Sequence, residues 1–362
     1  MGVALLGYDA LGKPTRKYVS AKTRTEVVQK LKKIHRQIDD GMPVTDTGLK
    51  VTQLFERWHD DVLRHQVGLA ASSNYKSVAD NHIVPVLGHK KVVDLRVTDV
   101  DRLLSKKTDS GLSVSTVRRI RSVFAQCLDQ GVRWGVVNQN VATLSRAPRE
   151  ARKEGRTLTP DQAKHLIEYL EGKRNEALWA LMLSTGLRRG EALGLMWKDF
   201  DREAGVLRVR RALKREGGQL VVSDTKTARS RRAVNLPTSM LELLLVHEQR
   251  QLLEKQALGR SWTDSGHIFV SSVGTPIDPR NLYREFQKIC QDAGLGAWHP
   301  HELRHSAASL MLAQGVKIQV VSQVLGHASI RMTADVYGHI LDPDREEAAK
   351  AMGTMLWGES DQ

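Results

Sequence analysis

The stretch HPHELRHSAASL, residues 299–310, puts two chemistries on the same letters. His301-Glu302-Leu303-Arg304-His305 fits the H-E-x-x-H pattern, in which two histidines one helical turn apart hold zinc and the glutamate acts as base. That reading needs a third ligand downstream. The residue three after His305 is Ala308 rather than glycine, no third histidine follows at the extended spacing, and Glu346 and Glu347 sit in a plain charged run. A zinc protease therefore stands as a rival that sensitivity to a chelator would reveal. The same stretch also reads as anion chemistry. His301 and Arg304, at i and i+3, share one helix face and can offer a proton carrier beside a planar guanidinium.

Other stretches add cations to the second reading. In STGLRRGEALGL, residues 184–195, Gly186 suits a tight turn and Arg188 opens a helical run. Glu191, one turn on, is placed to orient that guanidinium or to cap the helix. In SDTKTARSRRAV, Lys226 falls in a loop between strands, and residues 206–232 hold nine Lys and Arg against two acidic residues. LGHASIRMTADVYGH brings His327 and Tyr337. Arg189 and His305 are expected to serve packing or salt bridges, and His299, Glu302 and His339 receive no catalytic role.

The order Arg188, Lys226, His301-x-x-Arg304, His327, Tyr337 resembles the tyrosine recombinase (phage integrase) family. The matching pieces are TGLRRGEALGL, TKTARSRRAVNLP, HELRHSAASLMLAQG and LGHASIRMTADVYGH. Each is weak alone, and their order together is specific. The resemblance is close over residues 155–345 and looser upstream. It implies site-specific recombination, in which DNA is cleaved and rejoined through a 3′-phosphotyrosyl intermediate and a Holliday junction. Tyr337 would attack phosphorus and free a 5′-hydroxyl, and the covalent bond would store the energy for rejoining without ATP. Arg188 and Arg304 would clamp the non-bridging oxygens. Lys226 would protonate the departing oxygen, His301 would assist proton transfer from Tyr337, and His327 would hydrogen-bond the phosphate. Forming a phenolate at pH 7 costs roughly 4 kcal/mol for a tyrosine of pKa about 10. Fixed cations can supply such a sum, so no metal and no cofactor are expected.

The partners implied are double-stranded DNA attachment sites, a homotetramer assembled on that DNA, and a directionality or host DNA-bending factor. The rivals are a type IB topoisomerase-like strand transferase, which would relax plasmid without paired sites, and a non-catalytic DNA-binding regulator that keeps the scaffold.

These residues need elements to position them, and the composition permits such elements. The chain has 362 residues, 41 % of them hydrophobic, enough for packed cores in two or three domains. Its net charge of +14 points to a polyanionic partner. Two distant cysteines suit a reducing cytoplasm. No segment reads as a membrane span or signal peptide, so a cytoplasmic, nucleoid-associated protein without membrane contact is expected.

The expected fold is multidomain and mainly α, with a helical core-binding domain and a mixed α/β catalytic domain holding a small antiparallel sheet. Residues 1–46 read as a strand-turn piece and a helix near 25–38, broken at Gly41-Met42-Pro43. They form an arm-binding-like segment shorter than the family's usual arm domain. Residues 47–146 read as a helical core DNA-binding domain. Val51, Leu54, Phe55, Trp58 and Val62 form one stripe, a second helix closes at Pro85 and Gly88, and a third stripe runs through Val117, Ile120, Phe124 and Leu128 beside Arg118, Arg119 and Arg121. Residues 147–157 read as a linker. The catalytic domain, 158–345, starts at a capping box of Thr159, Pro160 and Gln162. Strands follow at Val206–Val209, Leu220–Val222 and Ala233–Leu236 with a Gly217-Gly218 turn, and helices return from Met240. The tail, 346–362, has the apolar content to be exchanged between subunits and equally to fold back on its own domain.

Overall fold

The computed structural model describes residues 1–8, 13–39, 48–149, 155–224, 231–327, 329–337, 352 and 354–356. Several expectations fall elsewhere: the break at Gly41-Met42-Pro43, part of the linker, the placement of Lys226, and most of the tail all lie outside the described residues. The chain divides into two compact units, Met1–Arg152 and Lys153–Gln362.

The first unit opens with an antiparallel hairpin, β1 (Gly2–Tyr8) against β2 (Pro14–Val19), followed by α1 (Arg24–Asp39). Val27 and Ile34 of α1 and Ala4 of β1 are buried. A side chain at position 2 would strike Val27 and Leu31, so glycine there lets the strand lie close to the helix. Then come α2 (Val51–Trp58), α3 (Arg64–Gln66), α4 (Leu69–Val78), α5 (Val84–Leu87), α6 (Val97–Asp109), α7 (Val114–Arg133) and α8 (Val141–Leu144).

Two π-type turns alter the expected pattern here. One, His59–Leu63, joins α2 to α3. Its extra residue per turn carries Leu63 into the core and leaves Val62 half-buried, although Val62 fits a 3.6-residue stripe. The other, Ala79–Ile83, precedes Pro85. Proline lacks an N–H and its ring clashes with the carbonyl four residues back; the widened turn re-spaces those carbonyls. The helical path therefore continues through Pro85 and closes at Leu87, with Gly88 as the cap that the sequence predicts and the proline inside the last turn.

The stripe of α7 is buried as the sequence predicts, with Val117, Ile120, Phe124 and Leu128 packed on Leu54, Phe55 and Trp58. Arg118 and Arg119 are exposed. Arg121 instead ties down α8, donating to the Ser145 and Thr143 carbonyls at 2.9 and 2.8 Å.

The second unit begins at α9 (Pro160–Leu170). Its N-cap is as expected: Thr159 Oγ1 accepts the Gln162 N–H, and Gln162 Oε1 accepts the Thr159 N–H. Helix α10 (Glu176–Thr185) is apolar on nearly all sides and lies at the centre of the core, as a helix without a polar face must. After α11 (Arg189–Leu193) come β3 (Phe200–Asp201), β4 (Val206–Val209), β5 (Arg211–Glu216), β6 (Gln219–Asp224) and β7 (Arg232–Asn235). They form an antiparallel sheet in the order β3-β4-β7 and a separate β5-β6 hairpin. Gly217 and Gly218, at φ of 56° and 87°, make the hairpin turn that two consecutive positive φ values require. Strand β5 (RALKRE) is additional to the three expected runs, since its charges hide the two-residue period.

The unit closes with α12 (Thr238–Leu258), α13 (Pro279–Asp292), α14 (Pro300–Ala313), α15 (Ile318–Leu325) and α16 (Ile330–Tyr337). The architecture is mainly helical with small antiparallel sheets, as the sequence reading expects.

Candidate active site

Helix α14 is anchored at its first turn. Pro300 occupies the first turn, where a missing N–H costs nothing, and His299 Nδ1 accepts the His301 N–H at 3.1 Å. Glu302 closes the box by accepting the His299 N–H at 2.7 Å. Ser306 Oγ donates to the Glu302 carbonyl and accepts the Leu158 N–H at 2.9 Å, fixing α14 to the segment that leads into α9.

This anchoring holds Arg304 inside the protein at 3 % exposure. Its Nη1 donates to the Gly186 carbonyl at 2.8 Å. Gly186 ends α10 at φ +63°, and a Cβ there would stand 2.4 Å from Leu325 Cδ2. The second arm of Arg304, Nη2, is buried with no hydrogen-bond partner among the described residues. Burial first, and the neighbouring Arg188 second, push the Arg304 guanidinium down to about 9, so it is still charged at neutral pH. A buried cation with an unmet donor is costly to leave unpaired, and an anionic oxygen is the natural partner.

Arg188 stands at the N-cap of α11, 38 % exposed, with Nη1 on Glu191 Oε1 at 2.8 Å. Glu191 also accepts the Arg188 backbone N–H through Oε2 at 3.1 Å, so it both orients the guanidinium and caps the helix. The same Oε2 takes Arg232 Nη2 at 2.9 Å. Burial raises the Glu191 carboxyl, but the Arg232 and Arg188 guanidinia more than offset it and hold it below its usual value.

His327 follows Gly326, which ends α15 at φ +67°. Its Nδ1 lies 2.8 Å from Thr333 Oγ1, and its N–H donates to the Ser322 carbonyl. Burial, then Arg304, Arg188 and Arg232, push it down to about 4, leaving a neutral imidazole near pH 7. His301, in the first turn of α14 with its residue exposed, is also pushed down to about 4, by desolvation first and then by His305 and Arg304.

Tyr337 is the last residue of α16, 4 % exposed among Ala308, Leu312, Val321 and Leu325. Burial pushes its phenol up to about 12, with Arg304 pulling the other way. Its hydroxyl lies 2.6 Å from His305 Nδ1. This corrects the expectation of a bland packing or salt-bridge role for His305: the side chain in contact with Tyr337 is His305, rather than His301. Burial and Arg304 lower the His305 pKa and favour the neutral ring, whose Nδ1 accepts the phenolic proton in the tautomer that carries its hydrogen on Nε2. Glu302 and His305 of the H-E-x-x-H stretch are thus engaged in a helix cap and a tyrosine contact. Arg189 packs as expected, donating to the Pro279 carbonyl at 3.2 Å.

The structure brings Arg188, His301, Arg304, His327 and Tyr337 into one electrostatic neighbourhood: burial is the first cause of the shifts at His301, Arg304, His327 and Tyr337, and the charge of Arg304 or Arg188 also acts on each of them. Sequence reasoning missed His305 and Arg232. Both are basic residues inside stretches already singled out, and only tertiary contacts separate them from their neighbours.

Comparison with known proteins places these features in context. The Phage integrase family model matches residues 156–343, and the phage integrase N-terminal SAM-like domain model matches residues 50–108. An integrase of Streptomyces ambofaciens is 31 % identical over 370 residues, covering 97 % of this chain and 92 % of the relative. A XerC-like tyrosine recombinase of Caldanaerobacter subterraneus subsp. tengcongensis is 29 % identical over 370 residues, covering 97 % and 95 %. Among solved structures, the Tn1549 transposon integrase in complex with circular intermediate DNA superposes with a TM-score of 0.71 at 19 % identity, covering 83 % of this chain and 99 % of that one. A lambda integrase tetramer bound to a Holliday junction gives 0.62 at 18 % identity, covering 91 % and 90 %. At these identities the two structures speak to fold alone.

Proposed function

This chain belongs to the phage integrase family of tyrosine recombinases, enzymes that cleave and rejoin DNA at specific sites, and from that premise we propose that Tyr337 is its nucleophile and that Arg188, Arg304, Lys226, His301 and His327 serve it. Tyr337 Oη attacks the scissile phosphorus, the P–O bond to the 5′-oxygen breaks, and a 3′-phosphotyrosyl ester forms. The phenolic proton leaves to a histidine: the resemblance gives that role to His301, and His305 is the imidazole in contact. Lys226, by resemblance, returns a proton to the departing 5′-oxygen.

The observation that carries this reading is the unpartnered, buried Nη2 of Arg304. A non-bridging phosphate oxygen satisfies it, while Arg188, half-exposed and aligned by Glu191, takes the other. The cations thereby stand where a metal ion stands in other phosphoryl transfers.

The organisation proposed around this site follows the sequence reading. Residues 47–146 grip the core site, with the exposed Arg118 and Arg119 of α7 toward the phosphates, and the β1-β2-α1 piece serves as an arm-type DNA reader. Four protomers pair two attachment sites through a Holliday junction, as the lambda integrase tetramer is bound to one, and the tail links neighbours. The gene belongs to a mobile element, and a directionality or host bending factor completes the assembly. No helix among the described residues is long and apolar enough to cross a membrane, which suits work on cytoplasmic, nucleoid-borne DNA.

The test begins with a duplex selected from a randomised pool by binding to the full chain. It is nicked beside the mapped cleavage position so that the short fragment is lost and the adduct trapped. A covalent protein–DNA adduct that forms in EDTA and disappears in Tyr337→Phe supports the reading. Loss of the adduct in EDTA would refute metal-free chemistry, and an adduct in Tyr337→Phe would refute the nucleophile.

A further inference from the structure

Arg232 has no part in the chemistry described so far, yet it joins three pieces of the site. It begins β7, and its side chain is 7 % exposed. Its Nε donates to the Val324 carbonyl at 2.6 Å, in the last turn of α15. Its Nη2 donates to Glu191 Oε2 at 2.9 Å, on α11. The fit at Gly326 is close: a Cβ there would stand 2.8 Å from Arg232 Nη1 and 3.1 Å from Cζ. One rigid fork therefore connects the residue that aligns Arg188 with the turn that carries His327. A lysine offers a single nitrogen in place of that fork.

The charges matter as much as the tether. Glu191 is buried, and its one negative charge lies between two guanidinia, leaving the trio at +1. Without Arg232, the carboxylate and Arg188 would form a pair of zero net charge, and the attraction of Arg188 for a phosphate would be opposed by an unshared carboxylate.

We propose that Arg232 is a positioning residue for DNA cleavage: it fixes Arg188 and the His327 turn in one geometry and, by sharing Glu191, leaves the group around Arg188 with a net positive charge toward the scissile phosphate. This rests on the reading of Arg188 and His327 as phosphate-binding groups.

The experiment uses the full chain and the nicked duplex described above, prepared with either a phosphodiester or a neutral methylphosphonate at the scissile position. Single-turnover cleavage at saturating enzyme and the DNA Kd are measured for wild type, Arg232→Met and Arg232→Lys, with a melting curve for each. Residues that orient a reacting group typically cost 10- to 100-fold when removed, so Arg232→Met is expected to slow phosphodiester cleavage on the order of 100-fold and Arg232→Lys about tenfold, with Kd changed less than about threefold. On the methylphosphonate, which makes a smaller demand on the Arg188 charge, the Arg232→Met penalty should fall well below its phosphodiester value. An equal penalty on both substrates, or parallel losses in cleavage and Kd, would overturn the proposal. If Arg232→Met fails to fold, Arg232→Lys carries the same comparison. Wild type giving no adduct would defeat the proposed function itself, whereas a wild-type adduct with unimpaired Arg232 variants would defeat this inference alone.

Discussion

His305→Phe tests how Tyr337 is held. The substitution keeps a ring of similar size in α14 but removes the ring nitrogen 2.6 Å from the Tyr337 hydroxyl. Leaving a buried hydroxyl without its partner costs about 1–3 kcal/mol. At roughly 1.4 kcal/mol per decade, that is a 5- to 150-fold shift away from the docked position of α16. Docking itself carries a chemical cost, since the phenol is pushed up to about 12 where it sits. That sets roughly 3 kcal/mol against forming the phenolate that the proposed attack needs, a cost the neighbouring cations and the approaching phosphate must offset.

Amide hydrogen exchange on the free protein reads the shift directly. The amides of α16 should exchange about tenfold faster in His305→Phe, while those of α10 at the core should change far less. A double-mutant cycle sharpens the test. Tyr337→Phe removes the other partner, and His305→Phe with Tyr337→Phe should recover much of the loss, because two apolar rings leave nothing unsatisfied. Unchanged exchange in α16, or strictly additive losses in the cycle, would show that this hydrogen bond does not hold the tyrosine.

Three other outcomes follow from the same contacts. Gly186→Ala puts a Cβ 2.4 Å from Leu325 Cδ2 at φ +63°, and thermal or urea denaturation should find it less stable by about 2–4 kcal/mol. It should also cut cleavage, because the Gly186 carbonyl orients Arg304. Glu191→Gln leaves two buried or half-buried guanidinia without their counter-charge, and its melting temperature should fall by several degrees, consistent with the roughly 3–5 kcal/mol cost of breaking a buried ion pair. Finally, His301 and His327 are pushed down to about 4, and His305 is lowered too. The unfolded chain therefore binds more protons between about 6.5 and 4, so the neutral histidines stabilise the fold above about pH 6.5 and that contribution is lost as pH falls toward 4. Urea midpoints should drop across that window, and a flat or rising midpoint would contradict the assignment.

How much of this was legible in the sequence depends on whether the information was local. The Thr159–Gln162 cap, the Gly217-Gly218 turn, the α7 stripe and the break at Gly186 are set by residues within a few positions of one another, and each was readable. Glu191 was readable because it lies one turn from Arg188. The shared neighbourhood of Arg188, His301, Arg304, His327 and Tyr337 followed from motif order rather than from local physics. His305 and Tyr337 are 32 positions apart, and whether they meet depends on how α14 and α16 pack. Arg232 looks like any other cation in a basic run, and its role emerges only when β7, α11 and α15 converge. The π-type turns at 59–63 and 79–83 were invisible for a related reason, since they appear as a shift in which residues reach the core. Strand β5 lacked the alternation that marks a half-buried strand.

The most direct measurement locates the covalent bond. The adduct trapped on the nicked duplex would be digested with nuclease and trypsin, and the nucleotide-bearing peptide sequenced by mass spectrometry. The account predicts a nucleotide on the peptide MTADVYGHILDPDR, residues 332–345, attached at Tyr337 through a 3′-phosphate. A nucleotide on any other residue, or attached through its 5′-phosphate, would contradict it.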